Sequence, residues 1–279
     1  MKRIPKVLVV SGSDSSGGAG MQADINMCRY CGVYPLSAVS CITVQSPHGL
    51  SAIEAVSPDV FRMQLESSLI GDTPDAVKVG MLPSEQHLEI LINFLRESNL
   101  HNVVVDPVFA PTLGQDKMPR SCWYNSLLVA EILPMIALLT PNIPEFKKLS
   151  AFPERNIVDS DIEAFLFHYG LKALLLKGGH ADIQELPVVT DKLYIARDVS
   201  DNDYHPHNFN NNKIITNNTH GTGCHLSSLI AANLAKGVDL YEAVRVSEII
   251  LNLFLKANAA LQFCPGNPAL RGPVAITNP

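Results

Sequence analysis

The sequence lacks an excess of positive charge. Its 279 residues include 21 Lys and Arg against 27 Asp and Glu, which gives a formal net charge of -6. Proteins that bind nucleic acid or anionic membranes electrostatically concentrate basic residues, so neither partner is expected here. A negatively charged protein that binds phosphate groups must do so through local backbone amides, individual lysines or a metal ion.

Long hydrophobic runs are also missing. The first apolar run, Val7 to Val10, is too short for the core of a signal peptide and is typical of a strand. The longest apolar region, Leu127 to Leu139, contains Glu131 and Pro134 and would not span a bilayer. We therefore expect a cytoplasmic protein with no membrane partner.

The six cysteines lack the second pair that a zinc site needs. The segment CRYC, Cys28 to Cys31, has redox or zinc spacing, but no second CxxC and no histidine pair at ligand spacing accompanies it. Thiols of cytosolic proteins are mostly reduced. Because CRYC also lies inside a predicted helix, two buried thiols are the favoured interpretation.

The sequence does have a regular alternation of short apolar runs and helical patterns. Near-continuous apolar strands separated by helices indicate an α/β fold with a mostly parallel central sheet and helices on both faces. The predicted strands are Val7–Val10, Ala38–Val44, Ala76–Val79, Val103–Asp106, Ala137–Thr140 and Ala173–Lys177. The predicted helices between them are Gln22–Cys31, Pro58–Leu69, Ser84–Arg96, Leu127–Leu133, Glu145–Leu149 and Asp159–Tyr169.

The C-terminal third departs from this alternation. It contains one predicted short strand, KLYIA at 192–196, and the polar segment NDYHPHNFNNNK at 202–213, which predicts a mobile loop. Two predicted helices follow, Thr222–Ala235 and Leu240–Gln262. Since no linker or internal repeat interrupts the chain, we expect a single domain over residues 1–279.

Ligands of a parallel α/β sheet bind beyond the carboxyl ends of its strands, so the loops there are the places to search. SGSDSSGGAG, residues 11–20, follows the first strand and holds four glycines and four serines, more than a turn needs. It is not a P-loop, because no Lys-Ser/Thr follows. Close approach of backbone to a ligand is favoured. Asp24, on the helix that follows, could point into the same pocket or only favour the helix start.

The loops after the second and third strands carry weaker candidates. Gln45 in TVQSPHG has donor and acceptor arms that suit the edge of a heterocycle, although a solvated loop glutamine is the simpler interpretation. Met81 in KVGM could form the wall of a ligand pocket or belong to the core. The sequence around these two residues does not decide between the alternatives.

Acidic residues follow two later strands. Asp106 ends VVVD, and LLTPNIPE places Asn142 and Glu145 after the next strand. One carboxylate from each of two neighbouring strand ends suits hydrated Mg²⁺, although a cap or turn role is the alternative for Asp106. Lys177 in LLLKGGH is a point charge that could meet a nucleotide phosphate.

The strongest local pattern is HGTGC, residues 220–224, at the start of a predicted helix. The first amides of a helix are unpaired and positive, and glycines there let phosphate oxygens approach closely. We expect the same field to lower the pKa of the Cys224 thiol. A glycine-rich helix start with an inert cysteine would have the same sequence pattern.

Taken in order, these motifs resemble those of a known family. SGSDSSGGAGMQAD, VKVGML, LLTPNIPE, LLLKGGH and NTHGTGCHLS occur in the order seen in hydroxymethylpyrimidine/phosphomethylpyrimidine kinases of thiamine biosynthesis. The resemblance covers roughly the whole chain and implies a ribokinase-like three-layer sandwich. It also implies ATP- and Mg²⁺-dependent phosphorylation of 4-amino-5-hydroxymethyl-2-methylpyrimidine, and then of its monophosphate, by a homodimer. A monovalent cation such as K⁺ is a further candidate cofactor.

The resemblance assigns roles to individual residues. It implies that the Gly221 and Gly223 amides form an anion hole, with Cys224 as the catalytic base. The residues implied to bind the aminopyrimidine are Gly12, Asp24, Gln45 and Met81. Those implied to bind Mg²⁺ are Asp106 and Glu145, and those implied to bind the ATP phosphates are Asn142, Lys177 and Thr222.

The sequence departs from the family pattern in several places. DSSGG replaces the common DPSGG, Asn217 stands where lysine is usual, and His225 replaces a threonine. The family's histidine near Gly272–Val274 is absent. Two alternatives therefore stay open: a pyridoxal kinase of the same fold, and a pyrimidine-binding relative that has lost catalysis. The joint presence of Asp106, Glu145, Lys177 and Cys224 argues against the second alternative.

Overall fold

The computed structural model describes residues 3–46, 49–109, 121–150, 156–179, 187–198 and 203–261. These residues form a nine-stranded sheet with strands β1 Lys6–Asp14, β2 Tyr34–Ser46, β3 Gly49–Ala55, β4 Ala76–Val79, β5 Val103–Val105, β6 Leu138–Leu139, β7 Ala173–Leu176, β8 Val188–Asp198 and β9 Asp203–Asn212. The strand order is β3-β2-β1-β4-β5-β6-β7-β8-β9. Neighbours from β2 to β7 are parallel, whereas β3, β8 and β9 pair antiparallel at the two edges.

Helices cover both faces of the sheet. They are α1 Gly20–Tyr30, α2 Pro58–Ser67, α3 Glu85–Ser98, α4 Ser126–Ile132, α5 Ile143–Ser150, α6 Asp159–Tyr169, α7 Thr222–Ala235 and α8 Leu240–Asn258. Helices α2 to α6 pack on one face, and α1, α7 and α8 pack on the other. The expected three-layer sandwich, with a mostly parallel central sheet and helices on both faces, is confirmed. Within the described residues, none of these helices combines the length and the apolarity needed to cross a membrane.

The central strands are apolar throughout because both of their faces are covered. In β5, Val103 and Val105 belong to the core beneath α2 to α6, while Val104 belongs to the core beneath α1, α7 and α8. All three side chains are buried. Successive side chains of a strand point to opposite faces, so a strand between two helical layers has no polar side.

The first strand is longer than predicted. Residues 11–14, expected to begin the glycine-rich loop, continue β1 and pair with β2, where the register shifts between Ser11 and Ser13. Only residues 15–19 form the connection to α1. Strand β3, which the sequence did not predict, pairs with β2 as an antiparallel hairpin.

The prediction of a mobile loop at 202–213 was wrong, because most of this segment forms β9. Every residue from 203 to 212 has a partner in β8, and the register shifts in β8 between Ala196 and Asp198. Strand pairing satisfies backbone groups whatever the side chains, and polar side chains are tolerated on an edge strand. Two of the asparagines are also paired: Asn210 with Thr190 at 2.8 Å, and Asn211 with Glu248 at 3.0 Å. The predicted end of the last helix was wrong, because α8 ends at Asn258, four residues before Gln262, and Gln262 itself lies outside the described residues.

Candidate active site

The start of α7 is built by a glycine in a conformation that other residues rarely adopt. Gly221 precedes the helix with φ of +84°, in the left-handed region. A Cβ at this position would collide with the carbonyl oxygen of Gly18 in the loop before α1. The two glycine-rich segments therefore touch, and glycine is required both for the backbone angle and for the close approach. Thr222, predicted to bind phosphate, is the first residue of α7.

The second glycine of HGTGC faces a pair of charged side chains. A Cβ built on Gly223 would lie 3.2 Å from both the Asp106 carboxylate and the Lys177 ammonium group. Because glycine has no side chain, the start of α7 lies directly against this ion pair, which a methyl group would crowd. A phosphate group bound at this junction would meet helix amides on one side and a lysine on the other, which suits an anion.

Lys177 lies between two carboxylates from neighbouring strand ends. Its Nζ is 2.7 Å from Asp106 Oδ1 and 4.0 Å from Glu145 Oε2. Asn142 and Glu145 bond each other reciprocally at the start of α5, since each backbone N–H donates to the other side chain at 2.8 Å. Asn142 also pairs with Lys177 as an isolated parallel bridge, which brings this segment beside the end of β7. The structure thus groups four of the predicted site residues at one edge of the sheet.

The electrostatics of this group favour a cation beside Glu145. Burial raises the pKa of the Glu145 carboxyl to about 7, Lys177 acts to lower it, and Asp106 acts to raise it. A cation between the two carboxylates would favour their ionised forms. No group of three or more His, Cys, Asp or Glu side chains at metal-binding distance occurs among the described residues. Two carboxylates alone fit Mg²⁺, which takes one or two carboxylate ligands and keeps several waters, better than a metal that needs a complete protein cage.

The expected lowering of the Cys224 pKa was wrong. Burial of the thiol raises its pKa to about 11. Lys78 and a hydrogen bond from the backbone N–H of Gly20 act to lower it, but Asp24 and Asp106 act with burial to raise it. The sequence pattern showed the helix start and gave no measure of how deeply the thiol is enclosed, and desolvation outweighs the helix field here.

Asp24, which the resemblance implies binds the aminopyrimidine, is enclosed by protein instead. Its side chain is fully buried, and Oδ2 is 2.7 Å from the ammonium group of Lys78, which is also fully buried. Its other oxygen accepts a hydrogen bond from Ser228 of α7 at 2.8 Å. The carboxylate therefore has protein partners on both oxygens and no contact with solvent, so it is not positioned to bind a ligand directly.

Gly12 and Met81 do lie side by side. A Cβ on Gly12 would be 2.7 Å from Cys41 Sγ and 3.6 Å from Met81 Sδ. Gln45 lies at the end of β2, where its Nε2 donates to Thr43 at 2.9 Å and its backbone N–H donates to Ser15 at 2.8 Å. The side chain of Gln45 is partly exposed, and its backbone is tied to the loop that precedes α1.

Sequence reasoning missed Asp14, which organises that loop. Its carboxylate accepts hydrogen bonds from the backbone N–H groups of Ser16 and Ala19, each at 2.8 Å. His220 Nε2 lies 2.9 Å from the same carboxylate, which links the loop to the start of α7. Burial alone would raise the pKa of Asp14, but hydrogen bonds from His220 and Ser16 hold it at about 2. An aspartate followed two residues later by a serine is a turn signal that could have indicated this role.

The chain is similar to known kinases over most of its length. A family model for phosphomethylpyrimidine kinase matches residues 14–267. The hydroxymethylpyrimidine/phosphomethylpyrimidine kinase of Staphylococcus aureus strain MRSA252 is 30% identical over 274 residues, which cover 97% of this chain and 93% of that protein. The structure of a Staphylococcus aureus pyridoxal kinase in complex with ADP has 27% sequence identity and a TM-score of 0.80, and covers 98% of this chain and 94% of that chain.

A plant relative is longer. The chloroplastic thiamine biosynthetic bifunctional enzyme of Arabidopsis thaliana is 36% identical over 250 residues, which cover 89% of this chain and 46% of that protein. The chain therefore spans about half the length of this relative. The family model matches well over half of the chain. This protein belongs to the phosphomethylpyrimidine kinase family.

Proposed function

We propose that this chain transfers the terminal phosphoryl group of ATP to the hydroxymethyl group of 4-amino-5-hydroxymethyl-2-methylpyrimidine, and then to the resulting monophosphate. The observation that carries the proposal is the juxtaposition of the start of α7 and the Lys177–Asp106 pair across Gly223. It combines helix amides, a lysine and two carboxylates, which are the groups that phosphoryl transfer requires. Family membership supports the same reaction and the use of ATP.

Each site residue has a proposed task. The amides of Gly221, Thr222 and Gly223 and the Lys177 ammonium group hold the phosphoryl group as its negative charge is redistributed. Asp106 and Glu145 would hold Mg²⁺, which neutralises phosphate charge when bound.

Cys224 is the proposed base. Phosphoryl transfer passes through a loose transition state, so the acceptor hydroxyl loses its proton late, when the attacking oxygen has become acidic. A Cys224 thiolate then accepts that proton. Because the pKa of the thiol is about 11, only a small fraction is thiolate at neutral pH, and the rate should rise with pH.

The acceptor pocket is proposed at Gly12, Met81 and Gln45. The first two lie together at the ends of adjacent strands, and Gln45 lies on the neighbouring strand β2. In this proposal Asp24 holds Lys78 through its buried ion pair and does not contact the pyrimidine.

The proposal also includes the oligomeric state and the cellular compartment of the protein. We expect a single domain over residues 1–279 that forms a homodimer, and Ile42 and Val44 provide an exposed apolar stripe on β2. The five cysteines within the described residues are all free, which suits a reducing compartment such as the cytoplasm. The net charge of -6 supports a small-molecule substrate rather than nucleic acid. A monovalent cation is included among the proposed cofactors.

A pyridoxal kinase is the second candidate, favoured by the TM-score of 0.80 to a pyridoxal kinase structure. Release of ADP in a coupled assay separates the two. The purified chain is given ATP and Mg²⁺ with the hydroxymethylpyrimidine, its monophosphate, pyridoxal or ribose. We expect turnover of the pyrimidine and of its monophosphate. Preference for pyridoxal would replace the substrate assignment, and no turnover of any of the four would contradict a kinase function.

A further inference from the structure

Lys78 and Asp24 form an ion pair that phosphoryl transfer does not use directly. Lys78 lies in β4, in the middle of the sheet between β1 and β5, and both side chains of the pair are fully buried. Their charged atoms are 2.7 Å apart. Removing two charges from water is costly, and a buried pair of this kind is often no more stabilising than apolar residues of similar volume. Stability alone is therefore a weak reason for its presence.

A chain of contacts connects this pair to Cys224. Ser228 donates to Asp24 at 2.8 Å, and it follows Cys224 by four residues, which places it one turn further along the same side of α7. From the other direction, the backbone N–H of Gly20, the first residue of α1, donates to the Cys224 sulfur. The starts of α1 and α7 thus meet at the thiol, and the ion pair joins both helices to β4 beneath it.

The structure makes a defined space for the Lys78 ammonium group. A Cβ on Gly80 would lie 2.8 Å from Lys78 Nζ and 2.8 Å from Ser11 Oγ. Any larger residue at position 80 would displace one of these groups. The absence of a side chain there leaves room for the ammonium group, and the bond to Asp24 fixes its position.

Two charged pairs lie close to the start of α7. Lys78 and Asp24 are bonded to α7 through Ser228, one turn beyond Cys224, while Asp106 and Lys177 lie beside the adjacent Gly223. Burial raises the pKa of Cys224, Lys78 acts to lower it, and the two carboxylates act to raise it. Burial opposes the charge of Lys78, but Asp24, Cys224 and Asp106 raise the pKa of the ammonium group, so it stays protonated.

We propose that Lys78 is a positioning residue for Cys224: held by Asp24, which Ser228 bonds one turn beyond the cysteine on α7, its ammonium group favours the thiolate form of the cysteine. The use of that thiolate as a base rests on the proposed function. The reactivity of the thiol does not, because it can be measured without any substrate.

The test measures the rate at which iodoacetamide alkylates Cys224 between pH 7 and pH 10. Peptide-resolved mass spectrometry follows this cysteine separately from the others in the full chain. Since the thiolate is the reactive form, one unit of pKa changes the rate about tenfold below the pKa. We expect Lys78→Met to slow alkylation about tenfold or more, and Asp24→Asn, which leaves the lysine charge unopposed, to accelerate it.

The opposite signs distinguish this role from a structural one. Loosening of the structure would expose the thiol and accelerate alkylation in both variants, so changes of the same sign, or no change, would overturn the proposal. If Lys78→Met does not fold, Asp24→Asn is compared with Ser228→Ala, which removes a hydrogen bond to the same carboxylate and keeps both charges. The proposal then requires faster alkylation in Asp24→Asn than in Ser228→Ala, and equal rates contradict it. Lys192→Met is the matched control, because it removes a 2.8 Å ion pair with Asp159 between β8 and α6 and should leave Cys224 unchanged.

Kinase assays on the same proteins keep the two proposals separate. Rate changes of opposite sign in a protein that phosphorylates no alcohol would support the role of Lys78 and contradict the proposed function. Normal pyrimidine kinase activity with unchanged alkylation rates would support the proposed function and contradict the role of Lys78.

Discussion

Two lysine–aspartate pairs lie near Cys224, and they differ in access to solvent rather than in geometry. Lys177 and Asp106 are 2.7 Å apart with 13% and 4% of their side chains exposed, whereas Lys78 and Asp24 are 2.7 Å apart with no exposure. A phosphate can reach the first pair and compete for its lysine. It cannot reach the second, whose charges act only through the protein. In the proposed function, pairs with equal distances thus have different roles, and burial decides which of them is assigned to contact the substrate.

The largest expected effect is a loss of stability when the Lys78–Asp24 pair, the enclosed pair, is broken. Lys78→Met leaves the Asp24 carboxylate buried without its partner, which should lower the free energy of unfolding by about 3–5 kcal/mol. Urea denaturation of parent and variant measures this. The double variant Lys78→Met with Asp24→Leu removes both charges and should recover most of the loss. A single variant as stable as the parent would show that the pair is not enclosed as described.

Breaking the Lys177–Asp106 pair, the accessible pair, should mainly reduce turnover. Lys177→Met removes one donor to the phosphoryl group, so kcat should fall about 10²–10³-fold. The unfolding free energy should change less than in Lys78→Met, because Lys177 is partly exposed. Steady-state kinetics and urea denaturation of the two variants make the comparison. Equal stability losses with little change in kcat for Lys177→Met would remove the distinction between the pairs.

The hydrogen bond between α7 and the enclosed pair should contribute less. Ser228→Ala removes the donor to Asp24 and leaves both charges in place, so the unfolding free energy should fall by about 1.5–3 kcal/mol. Urea denaturation gives the value. A loss as large as that of Lys78→Met would mean that the serine, rather than the lysine, holds the carboxylate.

Removing the charge of Glu145, beside Lys177 and Asp106, should increase stability, whereas Lys78→Met and Ser228→Ala should decrease it. Because its pKa is raised to about 7, the folded state binds more protons than the unfolded state between about pH 4.5 and 7, and stability is lost as pH rises through that window. Glu145→Gln removes this loss, and its side-chain oxygen can still accept from the Asn142 N–H. The variant should be more stable than the parent at pH 8 by about 1–3 kcal/mol. Thermal unfolding at pH 5 and pH 8 tests this, and a variant less stable than the parent at pH 8 would refute it.

Sequence patterns predicted the parts of the fold where local and tertiary preferences agree. The helices Asp159–Tyr169 and Thr222–Ala235 and the strand Ala76–Val79 were predicted with the bounds that the structure shows. The polar strand β9 was missed because it is held in place by pairing with β8, and the local sequence of a segment does not show such tertiary pairing. At the site, loop position correctly grouped Asp106, Asn142, Glu145 and Lys177.

The sequence did not show the extent to which individual side chains at the site are buried. The pattern GGAGMQAD cannot show that Asp24 faces a lysine 54 residues away, and the helix-start pattern cannot show that desolvation of the partly exposed thiol outweighs the helix field. Both errors concern solvent access, which depends on the packing of α1 and α7 against β4.

The most direct test of the account is the pH dependence of kcat for the parent and Cys224→Ala between pH 7 and pH 10, with the hydroxymethylpyrimidine as acceptor. A thiolate base with a pKa near 11 predicts a parental kcat that rises with pH across this range. Cys224→Ala should lower kcat about 10²–10⁴-fold and abolish the rise, with little change in substrate affinity. A Cys224→Ala enzyme with the kcat and pH profile of the parent would contradict the assignment of the base, and would leave the anion hole to act without it.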